Sequence, residues 1–100
     1  MNKYKEETKV LCERKGWDKV PVDTVWLLFT EEVGELASAI RKTKRCFLKN
    51  TNKYENVMIE MGDVFSYLFQ LAHMLDIDLD KMWMTHKAKM KNRNYFTDVN

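Results

Sequence analysis

Two short stretches of this 100-residue chain place acids where a helix would bring them onto one strip, Glu31-Glu32-Val33-Gly34-Glu35 and Glu60-Met61-Gly62-Asp63. At 100° per residue Glu32 and Glu35 are neighbours, and so are Glu60 and Asp63. Each pair is set into an apolar strip, with Leu28 and Ala39 beside the first and Val64, Tyr67, Leu71 and Met74 beside the second. A like-charged i,i+3 pair costs about 0.2–0.5 kcal/mol on an exposed helix. Partial burial raises that cost, because a carboxylate loses its hydration. A divalent cation resolves the conflict: it supplies the missing positive charge, and four carboxylates from two helices make much of an octahedral shell. The chain has no Glu-x-x-His, and its histidines are His73 and His86. An all-oxygen ligand set suits Mg²⁺, with Mn²⁺ as a substitute, better than iron or zinc. Both histidines are read as structural or surface groups.

The two tetrads Glu32-Val33-Gly34-Glu35 and Glu60-Met61-Gly62-Asp63 also share one pattern, acid-apolar-Gly-acid. A glycine inside a helix is about 1 kcal/mol less favourable than alanine. Gly34 and Gly62 project away from the acids, which predicts close packing of another helix behind the site.

These residues need helices to position them, and the chain reads as four. With three glycines and one proline, long stretches run without a breaker. The first helix spans about 2–15 and stops at Gly16, offering Tyr4, Leu11 and Cys12 for burial. A connector over 16–21 contains Pro21, which excludes a continuous helix. The second runs from Asp23, as N-cap, to about Arg45. Its apolar positions Val25, Trp26, Phe29, Val33, Leu36 and Ile40 recur at helical spacing. Basic residues at 41–45 suit the negative end of its dipole.

A loop over 46–51 leads to a third helix from Asn52, paired with Glu55 in a capping-box pattern, to about Leu75. That helix is apolar around most of its circumference, with Ser66, Gln70 and His73 as a thin polar strip. A single neighbouring layer cannot cover such a helix, which predicts packing against another subunit. Asp78 is the predicted cap of a fourth helix, with Leu79, Met82, Trp83, His86 and Met90 on one face. The expected architecture is a single all-α, four-helix-bundle-like domain that forms a homo-oligomer, a dimer or a tetramer.

Composition bounds the function from the other side. Seventeen Lys and Arg against fifteen Asp and Glu leave a net charge of +2, too balanced to mark a nucleic-acid binder. No Gly-rich phosphate loop can be built from Gly16, Gly34 and Gly62. Cys12 and Cys46 form no Cys-x-x-Cys and are read as free thiols in a reducing compartment. The charged start, MNKYKEETK, lacks the apolar run of a signal peptide. The longest apolar run, Val25–Phe29, is far too short to span a membrane. A cytoplasmic protein is expected.

With its acids and their spacing, Glu31-Glu32-Val33-Gly34-Glu35-Leu36 and then Glu60-Met61-Gly62-Asp63-Val64, the chain resembles the MazG-like all-α nucleotide pyrophosphohydrolases. Their pattern is EExxE, a variable gap, then ExxD; here the gap is residues 36–59, 24 in all. The likeness extends from about Trp17 to about Tyr95 and includes Gly16-Trp17 and Leu-Asp-Ile-Asp-Leu at 75–79. It implies a MazG-type fold and Mg²⁺-dependent hydrolysis of a (deoxy)nucleoside triphosphate to monophosphate and pyrophosphate. By position, Glu32, Glu35, Glu60 and Asp63 would be the metal ligands. Glu31 would orient a water or complete the shell.

The family's basic cluster at the end of the last helix falls here on Lys87–Arg93, with Lys89, Asn92 and Arg93 assigned to the substrate phosphates. Trp17 and Trp26 are assigned to a base pocket by stacking, and Trp83 to packing. Two other classes compete with this reading. One is a non-enzymatic helical oligomerisation module, against which all five acids stand. The other is a nucleic-acid-binding module using the basic clusters at 41–45 and 87–93.

Overall fold

The computed structural model describes residues 1–43 and 52–92. Four α-helices and one short 3₁₀ turn make up these residues, with no strand among them: α1 (Asn2–Lys15), the turn Trp17–Lys19, α2 (Val22–Lys42), α3 (Asn52–Met74) and α4 (Leu79–Lys91). The basic residues Lys44 and Arg45, the expected loop with Cys46, and Arg93 lie outside the described residues.

Local chemistry explains most of the boundaries. Gly16 ends α1 in the left-handed region, at φ 75°, where glycine carries no Cβ penalty. Pro21, not Asp23, holds the N-cap position of α2, with no side-chain cap; Asp23 lies in the first turn, where its charge complements the helix dipole. At the other end Thr43, almost wholly buried, donates its hydroxyl to the Ile40 carbonyl at 2.7 Å. Asn52 is already helical, so it is not a cap, while Glu55 sits in the first turn of α3.

The corner after α3 is a Schellman motif. The Ile77 amide donates to the Ala72 carbonyl at 2.8 Å and the Asp76 amide to His73 at 3.1 Å. Asp76 occupies the left-handed position, with φ 55°. Asp78 caps α4 as expected, accepting from the Lys81 amide at 3.0 Å.

Packing centres on α2 and α3, which lie antiparallel, with α1 laid against α3. Cys12, Val25, Leu71, Ala72 and Leu79 are the buried apolar residues, and Gln70 is buried with them. Gln70 was expected on a polar strip; its Nε2 instead donates to the Trp17 carbonyl at 3.4 Å, tying α3 to the 3₁₀ turn. Of the three residues expected to be buried on α1, Cys12 alone is; Leu11 is exposed, and Tyr4 rests its exposed ring against Phe69 at 5.9 Å between centroids.

The fourth helix is fixed at its root. Asn2 of α1 accepts from the Leu79 amide at 2.7 Å and donates to Asp78 at 2.8 Å. Lys5 donates to the Ile77 carbonyl at 2.7 Å. Beyond Leu79 every described residue of α4 is exposed, so the face expected to pack is bare within one chain. No helix among the described residues is long and apolar enough to cross a membrane.

Candidate metal centre

The acids converge because α2 and α3 run antiparallel with their acidic strips facing. Glu32 on α2 meets Glu60 and Asp63 on α3, one carboxylate oxygen of each lying within 4.8 Å of the others. Glu32 and Glu60 are half-buried, and Asp63 is exposed. One oxygen of each half-buried glutamate, Glu32 Oε2 and Glu60 Oε2, is shut off from solvent without a hydrogen-bond partner. Such an oxygen is unfavourable unless something positive satisfies it. Burial pushes the Glu32 carboxyl above its ordinary range, and the charges of Asp63, Glu35, Glu60 and Glu31 push it further. The donor set is all oxygen, and one oxygen from each of the three acids lies within 4.8 Å of the others, so the residues present fit a hard divalent cation.

The remaining predicted residues are placed unevenly. Glu35 does not join the group of three; it lines an adjoining cleft one turn along α2. Glu31 is exposed at the rim, near enough to raise Glu32. Trp17 is half exposed in the 3₁₀ turn. Trp26 stacks on Phe29 with ring centroids 5.5 Å apart and lines a different, apolar groove between α2 and α3, which none of the five acids enters. Lys89 and Asn92 are exposed at the far end of α4. One chain thus brings Glu32, Glu60 and Asp63 together, while Trp26 lines another groove and Lys89 and Asn92 stand exposed on α4. Among the described residues no helix packs behind the glycines either: a Cβ added at Gly34 or Gly62 would meet nothing within 4 Å.

Two further groups lie beside the acids: Tyr67, which the sequence places on the Glu60–Asp63 strip without giving it a role, and the lining of a cleft that the sequence does not single out. Tyr67, one turn beyond Asp63, is half-buried, and its phenol is pushed up by burial and by Glu32, Asp63 and Glu31. The cleft beside Glu35, about 500 Å³, is lined also by Ser38, Ala39, Lys42, Lys53 and Asn56. The i+4 step from Asp63 and the seven-residue steps from Glu35 to Lys42 and back from Glu60 to Lys53 were the available signals.

Residues 21–96, three quarters of the chain, match the family model described as the MazG nucleotide pyrophosphohydrolase domain. The chain belongs to the MazG family. The matched span contains both acidic tetrads, α2, α3 and α4, and leaves α1 outside. No curated protein and no solved structure matched the chain. In this MazG domain Glu32 of the EExxE motif and Glu60 and Asp63 of the ExxD motif therefore meet across one helical hairpin, and α1, outside the matched span, braces α3 and the root of α4.

Proposed function

We propose that this MazG domain is a metal-dependent hydrolase that converts a (deoxy)nucleoside triphosphate into the monophosphate and pyrophosphate. The observation that carries the reading is the pair of buried, partnerless oxygens on Glu32 and Glu60, converging with Asp63 inside a MazG domain. Glu32, Glu60 and Asp63 would hold Mg²⁺, with Mn²⁺ as substitute, and Glu35 would complete the set from the next turn of α2. When bound, the cation neutralises phosphate charge and makes a water more acidic. Glu31, free at the rim, orients the attacking water and takes its proton. The rest of the work is positioning, which a helical hairpin can supply without a phosphate loop. Trp17 offers an exposed indole for stacking a base.

The proposed assembly is a homo-oligomer of at least two copies in the cytoplasm. Beside the root of α4 an apolar groove of about 780 Å³ is lined by Trp26, Leu27, Leu68, Leu71, Leu75 and Met82, among others. Next to it, α4 presents Trp83, Met84 and Met90, all exposed. Groove and stripe lie on one chain, so a two-fold axis lets each copy's stripe fill the other's groove.

The deciding experiment incubates the common NTPs and dNTPs with Mg²⁺ and separates the products by ion exchange. Monophosphate plus pyrophosphate is expected for at least one substrate, with turnover lowered by at least about 10²-fold in Glu60→Ala. Release of diphosphate and phosphate, or no turnover with any nucleotide, would count against the reading.

A further inference from the structure

Resting on the pyrophosphohydrolase reading above, we propose that Lys42 and Lys53 form a polyphosphate subsite that receives the leaving pyrophosphate half of the substrate. Lys42 closes α2 and Lys53 opens α3, so the antiparallel pairing sets them on opposite walls of one cleft. Glu35 lies on that same wall of α2, and the cleft runs from it towards the two lysines with Ser38, Ala39 and Asn56 between. The α2–α3 face therefore carries carboxylates at one end and ammonium groups at the other. Among the described residues neither lysine has an ion-pair partner, in contrast to Lys9, which approaches Glu6.

The spacing suits a nucleotide bound across both ends. Seven residues separate Glu35 from Lys42 and Lys53 from Glu60, which is two turns or about 10 Å along each helix. A lysine stem covers about one turn, 5 Å, of that distance, and leaves room for phosphates between ammonium and carboxylates. A base or a ribose has no need of two cations, whereas a polyphosphate tail carries several negative charges. Its need grows during the reaction. When water attacks the α-phosphorus, the bond to the bridging oxygen breaks and the electron pair leaves with the pyrophosphate. Cations already in place there stabilise that developing charge. Ser38 and Asn56 add neutral hydrogen-bonding groups along the path. Ala39 keeps the middle of the cleft unobstructed.

The test titrates inorganic pyrophosphate with Mg²⁺ into the full chain by calorimetry. It compares the native protein with Lys42→Ala/Lys53→Ala and with Lys42→Arg/Lys53→Arg. Both lysines are exposed, and helical circular dichroism checks that each variant folds. Pyrophosphate binding is expected to weaken by about tenfold or more in the alanine pair and to survive in the arginine pair. Nucleoside monophosphate and Mg²⁺ binding are expected to stay unchanged, and KM for the triphosphate to rise. Unchanged pyrophosphate affinity in the alanine pair would overturn the subsite. So would salt-steep oligonucleotide binding that depends on these lysines while pyrophosphate binding does not. Failure of the parent reading looks different: the native chain would then hydrolyse no nucleotide, whatever its affinity for pyrophosphate.

Discussion

Glu32 is the residue on which the charge balance of the site turns. Its carboxyl is raised in the folded chain, first by burial and then by four neighbouring acids. Between its ordinary value and the raised one, the folded chain holds a proton that the unfolded chain has lost. This group therefore favours folding most below its unfolded pKa, and stability falls as pH rises through the folded value. Without metal, the contribution makes the chain less stable at pH 7 than just below the carboxylate range is crossed. Mg²⁺ is expected to reverse that. At about 100 times its Kd it adds ~2.7 kcal/mol, a Tm rise on the order of 10 °C for a chain of this size. Melting followed by circular dichroism at pH 7 and pH 5, with and without Mg²⁺, should show the larger rise at pH 7. In Glu32→Gln both the rise and its pH dependence should shrink. The acids were legible because a like-charged pair on an apolar strip is a visible anomaly in sequence. Lys42 and Lys53 were not: Lys42 at the C-terminal end of α2 has an adequate explanation in the dipole, Lys53 in the first turn of α3 reads as one solvated cation among many, and only the pairing of two helices brings these two to one cleft.

At the scale of elements, the same contrast holds between contacts near in sequence and contacts far apart. Gly16 stopping α1 and Asp78 capping α4 are local events, and both were readable. Asn2 bridging to Leu79 spans 77 residues, and no periodicity announces it. Truncation by Asn2→Ala removes a partner from the partly buried Leu79 amide and the tether to Asp78. A loss of about 1–3 kcal/mol is expected, read as a lower denaturant midpoint with an unchanged slope. Gly34 tests the other side of the hairpin. Since a Cβ there meets open space, Gly34→Ala is expected to stabilise the chain by about 1 kcal/mol through helix propensity alone. Destabilisation instead, growing with protein concentration, would show that the helix of another copy packs against Gly34.

The whole molecule leaves much of its apolar surface uncovered. Leu27 is 67% exposed, Leu75 56% and Met84 60%, while the buried apolar side chains are few and mostly small. Exposure of this kind fits the homo-oligomer proposed above. Light scattering after size exclusion should give at least twice the 12.0 kDa of one chain. Leu27→Glu with Met82→Glu, which places charge in the groove, should lower the measured mass towards that value. The sequence expects an oligomer from the apolar girth of α3, and Met58, Ile59, Met61, Phe65 and Leu68 of that helix are exposed in one chain; α4 is bare as well, although in sequence it reads as an ordinary amphipathic segment. The hairpin also has a consequence for the order of folding. Every acid of the site lies on α2 or α3, neighbours along the chain, and loops closed over short separations form fastest. A nascent chain therefore has its acidic turns facing each other once α3 has emerged, whereas the bond between Asn2 and Leu79 must wait for the corner beyond it. Synthesis would thus pass through a state in which the facing acids are already gathered while the first and last helices are still unlatched.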